Sequence, residues 1–147
     1  MKGNGKALIP LLLVEFTALS AMAGTISLGA GIASAFNRLD ADSMLVYLEP
    51  QGKVFMEAPV FGIGRGRYSP GQCAEQLRQV FTGKTTISFR YRGGTTSNHC
   101  RADWTVQDIP TGKLLSFAVY FEMTERDGAT FLRAIRITRS TEPLRAR

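Results

Sequence analysis

Residues 99–123 read HCRADWTVQDIPTGKLLSFAVYFEM, and this stretch fixes the class of the fold more firmly than any other part of the chain. Apolar side chains occupy every second position from Cys100 to Val106 and again from Leu115 to Met123. A period of two is typical of strands that bury one face. The polar segment 108–113 between the two runs contains Pro and Gly, as a turn does. The stretch therefore predicts two antiparallel strands joined by a short turn.

The same pattern continues on both sides of this hairpin. Residues 85–92 alternate in the same way, and a further alternating run follows a polar turn at residues 124–129. Together these segments predict an antiparallel meander of about four strands. Upstream, residues 44–49 and 53–56 are predicted as two shorter strands, joined by a tight turn.

One helix is predicted between the two groups of strands, over residues 70–81. Ser69 is a natural N-cap, Pro70 suits the first helical position, and Gln72 completes a capping box. Apolar side chains recur at helical spacing on one face, at Cys73, Leu77, Val80 and Phe81.

A glycine-rich segment precedes this helix, with Gly62, Gly64 and Gly66 at alternate positions. Backbone amides in such a run can cradle a phosphate group. The segment lacks the spacing of the dinucleotide-binding fingerprint, so we expect a flexible or bulged loop here.

Composition excludes several kinds of site. The chain has 147 residues, enough for one domain, with one His and two Cys. These numbers exclude a zinc site of four Cys and His ligands, a multi-cysteine cluster and any mechanism that uses two histidines. We predict a protein without metal or cofactor. The net charge is +6, and arginines supply most of the positive charge.

The N-terminal segment is the longest apolar run. Residues 7–36 read ALIPLLLVEFTALSAMAGTISLGAGIASAF and carry a single charge, Glu15. About 20 apolar residues suffice to cross a bilayer. Lys2 and Lys6 precede the run and acids follow it, which favours a cytoplasmic N-terminus. This predicts a membrane helix within residues 1–39 and an α+β domain with an antiparallel sheet and one helix, residues 40–147, outside the cytoplasm.

Two other interpretations of this run stay open. It is also compatible with a signal peptide cleaved after Ala23, because Ala21-Met22-Ala23 has the small residues of a cleavage site. The other is a buried core helix of a soluble protein, which a thirty-residue run with a single charge favours less.

Within the run, Glu15 and the small residues indicate contacts with other helices. A carboxylate in hydrocarbon usually has a partner, and small residues such as Gly24 and Gly29 allow helices to approach closely.

The stretch Val14-Glu15-Phe16-Thr17-Ala18-Leu19 resembles the Val-Glu-Phe-x-x-Leu core at the head of type IV pilin-like subunits. It is most similar to minor pilins of the tight-adherence (Tad) type, although Pro10 stands where that family has its processing-site glycine. The resemblance implies a helix that lies in the bacterial inner membrane and later in a filament core. It also implies that Glu15 pairs with the N-terminal amine of a neighbouring subunit. Subunit contacts are then expected at Glu15, Phe16, Gly24 and Gly29.

The function that follows from this resemblance is a non-enzymatic pilin-like subunit with one membrane span and a periplasmic or extracellular domain. Its partners would be other protein subunits and membrane lipids, with no nucleic acid and no small-molecule substrate. Two alternatives are a single-span accessory subunit of a larger membrane complex and a secreted binding domain released from a signal peptide.

Cys73 and Cys100 are the two cysteines of the chain. Outside the cytoplasm we expect them to form a disulfide, which would stabilise the fold by roughly 3–4 kcal/mol and connect the helix to the sheet. The alternative is a thiol hydrolase, with Cys73 as nucleophile, His99 as base and Asn98 or Asp103 orienting the base.

Arginines on or beside the predicted strands are candidate contacts for an anion or a protein partner, because guanidinium groups bind carboxylate and phosphate in a bidentate manner. The alternatives are a solvated face, or nucleic-acid binding with Tyr91 and Trp104 as stacking platforms. The candidate arginines are Arg65, Arg67, Arg90, Arg92 and Arg101.

Overall fold

The computed structural model describes residues 28–96 and 98–140, without the side chains of residues 93–96. Two α-helices, two 3-10 turns and six strands make up this part of the chain. In chain order they are helix α1 (28–38), a 3-10 turn (Asp42–Tyr47), β1 (Val54–Ala58), a 3-10 turn (Pro59–Phe61), β2 (Ile63–Tyr68), α2 (Pro70–Phe81), β3 (Lys84–Thr96), β4 (His99–Asp108), β5 (Leu114–Arg126) and β6 (Ala129–Arg139).

The six strands form one sheet in the order β2-β1-β6-β5-β4-β3. The predicted four-strand meander is confirmed, since β3 to β6 pair antiparallel in succession. The prediction of a purely antiparallel sheet is wrong, because β1 lies parallel to β6, with Phe55 opposite Ala134. This pairing joins segments almost eighty residues apart, so no local pattern announces it.

Helix α2 is confirmed at its predicted bounds, including its capping box. The backbone N–H of Gln72 donates to Ser69 Oγ at 3.2 Å, and the Ser69 N–H donates to Gln72 Oε1 at 3.0 Å. The predicted apolar face is buried against the sheet.

The segment 44–49 is not a strand, contrary to the prediction. Asp42–Tyr47 is a 3-10 turn that buries Met44 and leaves Leu45 and Val46 exposed. The chain reaches the sheet only at Leu48, which forms an isolated bridge with Leu132. The apolar run 44–48 thus covers the edge of the core without pairing as a strand.

The glycine-rich segment is an edge strand, where the prediction was a loop. β2 pairs antiparallel with β1, with Gly66 opposite Met56. A side chain at position 66 would meet the Tyr68 ring at 3.3 Å, so glycine makes room for that ring. The Tyr68 hydroxyl donates to the Gly64 carbonyl at 3.1 Å.

Helix α1 corrects the membrane prediction. Leu28, Ile32, Ala35 and Phe36 are all buried, and they form one face that packs on the sheet. This spacing is that of an amphipathic core helix. For residues 28–36 the structure therefore agrees with the core-helix interpretation. Among the described residues no helix is long and apolar enough to cross a membrane. The predicted single span and inner-membrane location are therefore wrong for the part of the chain that the structure describes.

Of the four predicted subunit contacts, Glu15, Phe16 and Gly24 lie outside the described residues. Gly29 lies in α1, where its carbonyl accepts a hydrogen bond from the Tyr91 hydroxyl at 2.6 Å. Its observed contact is thus within the chain.

Candidate functional site

Both helices lie on the same side of the sheet, which we call the inner face; the opposite side is the outer face. Phe36 of α1 contacts Phe89 of β3 and Trp104 of β4, with ring centroids 4.7 and 5.2 Å apart. Phe81 of α2 lies edge-on to Phe36 at 5.1 Å. Aromatic rings from both helices and the sheet therefore fill the space between the two layers.

One polar link runs through this aromatic core. The Thr86 hydroxyl donates to the Phe36 carbonyl at 2.7 Å and accepts from Trp104 Nε1 at 3.1 Å. Among the described residues, Glu49 is the one buried charged side chain. It lies at the approach to β1, against a cavity of the outer face. The described part of the inner layer therefore holds no buried carboxylate that could act as an acid or base.

The two cysteines are free thiols in this structure. Cys73 lies over β1, with its sulfur 3.7 Å from Met56 Sδ. Cys100 lies in β4, and β6 and β5 separate the two strands. Strands are spaced about 4.8 Å apart, whereas a disulfide joins Cα atoms no more than about 7 Å apart. The predicted bond is therefore not formed in this arrangement.

The thiol-hydrolase residues are also not brought together. Burial raises the pKa of Cys73 to about 12, the reverse of what a nucleophilic thiolate needs. His99 lies on the outer face, with Nε2 3.8 Å from Glu122. Cys73 packs in the core on the inner face, so the sheet lies between this thiol and the imidazole.

The outer face collects the predicted arginines. Residues paired across neighbouring strands project to the same side, and two such rows cross the sheet. One row runs Arg67, Phe55, Ala134, Glu122 and His99. The second runs Glu57, Arg136, Tyr120, Arg101 and Arg92. Arg90 follows opposite Asp103, and Arg65 joins this face through Glu57 at 3.7 Å.

Carboxylates on this face are shared between arginines. Glu57 lies 3.7 Å from Arg65 and 3.6 Å from Arg136. Asp103 lies 2.8 Å from Arg92 and 3.4 Å from Arg101.

Positive charge is in excess on the outer face. Within the described ranges the face and its rim carry eight arginines against four carboxylates, and the side chains of Arg67 and Arg90 have no ion pair with described residues. The arginines are Arg65, Arg67, Arg90, Arg92, Arg101, Arg126, Arg133 and Arg136, and the carboxylates are Glu49, Glu57, Asp103 and Glu122.

Two adjoining cavities open on this face. The larger, of about 410 Å³, has Glu49, Lys53, Arg67, Arg126 and Arg133 among its lining residues. The second, of about 290 Å³, is lined in part by Tyr120 and Arg136. They share Phe55, Glu122 and Ala134. The two cavities thus form one groove with an apolar floor and charged walls.

Sequence reasoning missed Glu49, Lys53 and Glu122 as parts of this groove. Glu122 could have been found from strand alternation, because it follows Tyr120 at a spacing of two on the outward side. Glu49 and Lys53 reach the groove only through the parallel pairing of β1 with β6.

No protein-family model and no curated protein matches this sequence. Solved structures do match the fold. A DUF4783 family protein from Bacteroides ovatus has a TM-score of 0.59 and 18% identity, and the match covers 77% of this chain and 96% of that one. A ketosteroid isomerase-like protein from Erwinia carotovora atroseptica has a TM-score of 0.62 and 16% identity, covering 82% and 96% of the two chains. An NTF2-like protein of unknown function from Cytophaga hutchinsonii matches with a TM-score of 0.54 and 9% identity, over 79% and 89% of the two chains.

The chain has the NTF2-like fold. The resemblance to pilins is therefore wrong as a guide to the folded domain, and so is the pilin-subunit function that rested on it. At these identities the likeness establishes the fold alone. The NTF2-like fold includes a protein named ketosteroid isomerase-like, so the fold itself is compatible with catalysis.

Proposed function

We propose that this NTF2-like chain is a non-enzymatic binding module that takes an acidic surface of a protein partner on the outer face of its sheet. The observation that carries the proposal is the excess of arginine on a face against which neither α1 nor α2 packs. Guanidinium groups favour carboxylates because they can donate two parallel hydrogen bonds.

The charge pattern supports an external partner. Glu57 and Asp103 each already have two arginine neighbours, and Glu122 has Arg133 and His99. Arg67 and Arg90 form no ion pair with any described residue. Since these two arginines lie on the same face at opposite edges of the sheet, in β2 and β3, an acidic surface could contact both ends of the face at once.

The apolar floor favours a protein over a purely electrostatic partner. Phe55 and Tyr120 lie along the middle of the face, with the Arg65 guanidinium 5.8 Å from the first ring and that of Arg101 5.5 Å from the second. Phe, Tyr and Arg are among the residues enriched in protein interfaces, and Tyr and Arg are enriched in their energetic centres.

The packed interior supports a non-enzymatic role. Phe36, Phe89 and Trp104 occupy the space between the helices and the sheet, and Thr86 uses its hydroxyl to hold two of these residues together. A general base would need a titratable group within reach of a substrate there. The described part of this layer holds no buried carboxylate for that role.

The test is binding of a labelled peptide of alternating glutamate and phenylalanine to the full chain, followed by fluorescence anisotropy. We expect binding that weakens with added salt. Arg67→Glu and Arg90→Glu should each weaken it by about tenfold, equivalent to about 1.4 kcal/mol. The matched control is Arg38→Glu, an exposed arginine at the end of α1 on the other side of the sheet, which should leave the affinity nearly unchanged.

Equal losses in all three variants would contradict the proposal, because net charge alone would then explain the binding. The lack of any binding by the wild-type chain at low salt would contradict it as well. Binding to phosphatidylserine vesicles without binding to the peptide would replace the protein partner by a lipid surface.

A further inference from the structure

The larger cavity of the outer face, which we call the Glu49 cavity, has features that a flat protein contact does not require. It measures about 410 Å³, and its lining includes Glu49, Lys53, Arg67, Thr124 and Arg133. It adjoins the apolar floor formed by Phe55 and Ala134. A concave space with a few convergent charges beside an apolar surface is typical of a small-molecule site.

Glu49 places a buried negative charge in the lining of this cavity. The residue is 4% exposed. Oε1 accepts from the Gln51 backbone N–H at 3.3 Å and lies 3.3 Å from Arg126 Nε. Oε2 is buried and has no hydrogen-bond partner among the described residues. Buried carboxylate oxygens normally have a donor, so this atom can accept a hydrogen bond from a donor group of a ligand.

Lys53 and Arg67 place uncompensated positive charges in the same cavity. Arg126 is occupied by Glu49, and Arg133 lies 3.5 Å from Glu122. The side chains of Lys53 and Arg67 have no ion pair with any described residue. Phe55 is paired with Arg67 and follows Lys53 by two positions, so the register places both cations beside its ring.

We propose that the Glu49 cavity binds an acidic α-amino acid, with glutamate or aspartate as the ligand class. Two carboxylates of the ligand meet Lys53 and Arg67, its ammonium meets Glu49, and its methylene carbons lie on Phe55 and Ala134. The binding that we propose requires the Arg126 side chain, which is 43% exposed, to turn outward so that the ammonium can reach Oε2. The proposal does not depend on a protein partner.

The test is isothermal titration calorimetry of the full chain with L-glutamate and with glutarate, which keeps both carboxylates and lacks the ammonium. We expect glutamate to bind at least about tenfold more tightly than glutarate. Glu49→Gln should abolish this difference, because the neutral amide cannot pair with an ammonium. Lys53→Ala should weaken both ligands by about tenfold, since it removes a shared carboxylate contact.

Lys53 is exposed, so Lys53→Ala keeps the test decisive even where replacing the buried Glu49 prevents folding. Arg90→Glu is the matched control: it should weaken the acidic peptide and leave glutamate affinity unchanged, which separates this site from the proposed protein contact. Three results would overturn the proposal. These are no binding of either compound, equal affinity for both, and undiminished affinity in Lys53→Ala.

Discussion

Thr86 shows how much of the core depends on one hydroxyl group. It connects the end of α1 to the indole of Trp104 across β3 and β4. Thr86→Val keeps the shape of the side chain and leaves both groups without a partner. We expect the free energy of unfolding to fall by about 1–3 kcal/mol, measured by urea unfolding with the fluorescence of Trp104, the only tryptophan of the chain.

The matched control is Thr85→Val, at the neighbouring exposed position of β3. Surface substitutions of this kind change stability by less than about 0.5 kcal/mol. A loss of the same size at both positions would show that strand propensity, and not the Thr86 link, is responsible.

Cys73 gives the stability a predictable pH dependence. The fold raises the pKa of this thiol to about 12, from 9.0, because burial disfavours the thiolate. The unfolded chain therefore loses this proton at lower pH than the folded one. The protonated Cys73 thiol therefore contributes fully to the free energy of unfolding below pH 9, and this contribution declines as pH rises towards 12. At pH 10.5 we expect a loss of about 2 kcal/mol relative to neutral pH from this group alone.

Cys73→Ala should remove this part of the decline, so urea unfolding of both proteins between neutral pH and pH 10.5 measures it. The comparison is needed because burial also raises the pKa of Cys100 and of Tyr91. Identical pH slopes in the two proteins would contradict the assignment to Cys73.

At the scale of elements, the N-terminal cap of α2 makes its own contribution to the stability of the fold. Ser69→Ala removes the acceptor for the Gln72 N–H and should cost about 1 kcal/mol. Ser34→Ala, at an exposed position inside α1, should instead stabilise slightly, because alanine is the better helix former. Thermal unfolding followed by circular dichroism compares the two, and a loss in both variants would contradict the capping argument.

Elements with a purely local signal could be predicted from the sequence. The capping residues around Ser69 announce α2, and the alternation on either side of Trp104 announces the meander. Helix α1 could not be assigned to the core or to a membrane, because a helix that packs on a sheet and a helix that enters a bilayer both have an apolar face. β2 was missed since its glycines weaken every strand signal, and its pairing with β1 supplies the stability that they lack.

The candidate site divides in the same way. Alternation in β3 and β4 places Arg90, Arg92 and Arg101 on one side, and the register confirms that placement. Which acids neighbour them depends on pairing between strands, as with Asp103 and Arg92. The Glu49 cavity depends on the pairing of β1 with β6, and no local sequence pattern predicts that pairing.

At the scale of the whole molecule, strand β6 joins the two parts of the sheet. β6 lies between β5 and β1, so it connects the meander to the β1–β2 hairpin. Contacts between segments so far apart in sequence form slowly, because a long loop must close before they yield any stabilisation.

This order matters while the protein is being made on the ribosome. Until residues 129–139 have left the exit tunnel, the hairpin of β1 and β2 has no neighbour to join, and the edge of β5 stays unpaired. An unpaired edge of that length invites association with other nascent chains. A chaperone that shields β5 during translation would therefore act on the step that decides between a folded chain and an aggregate.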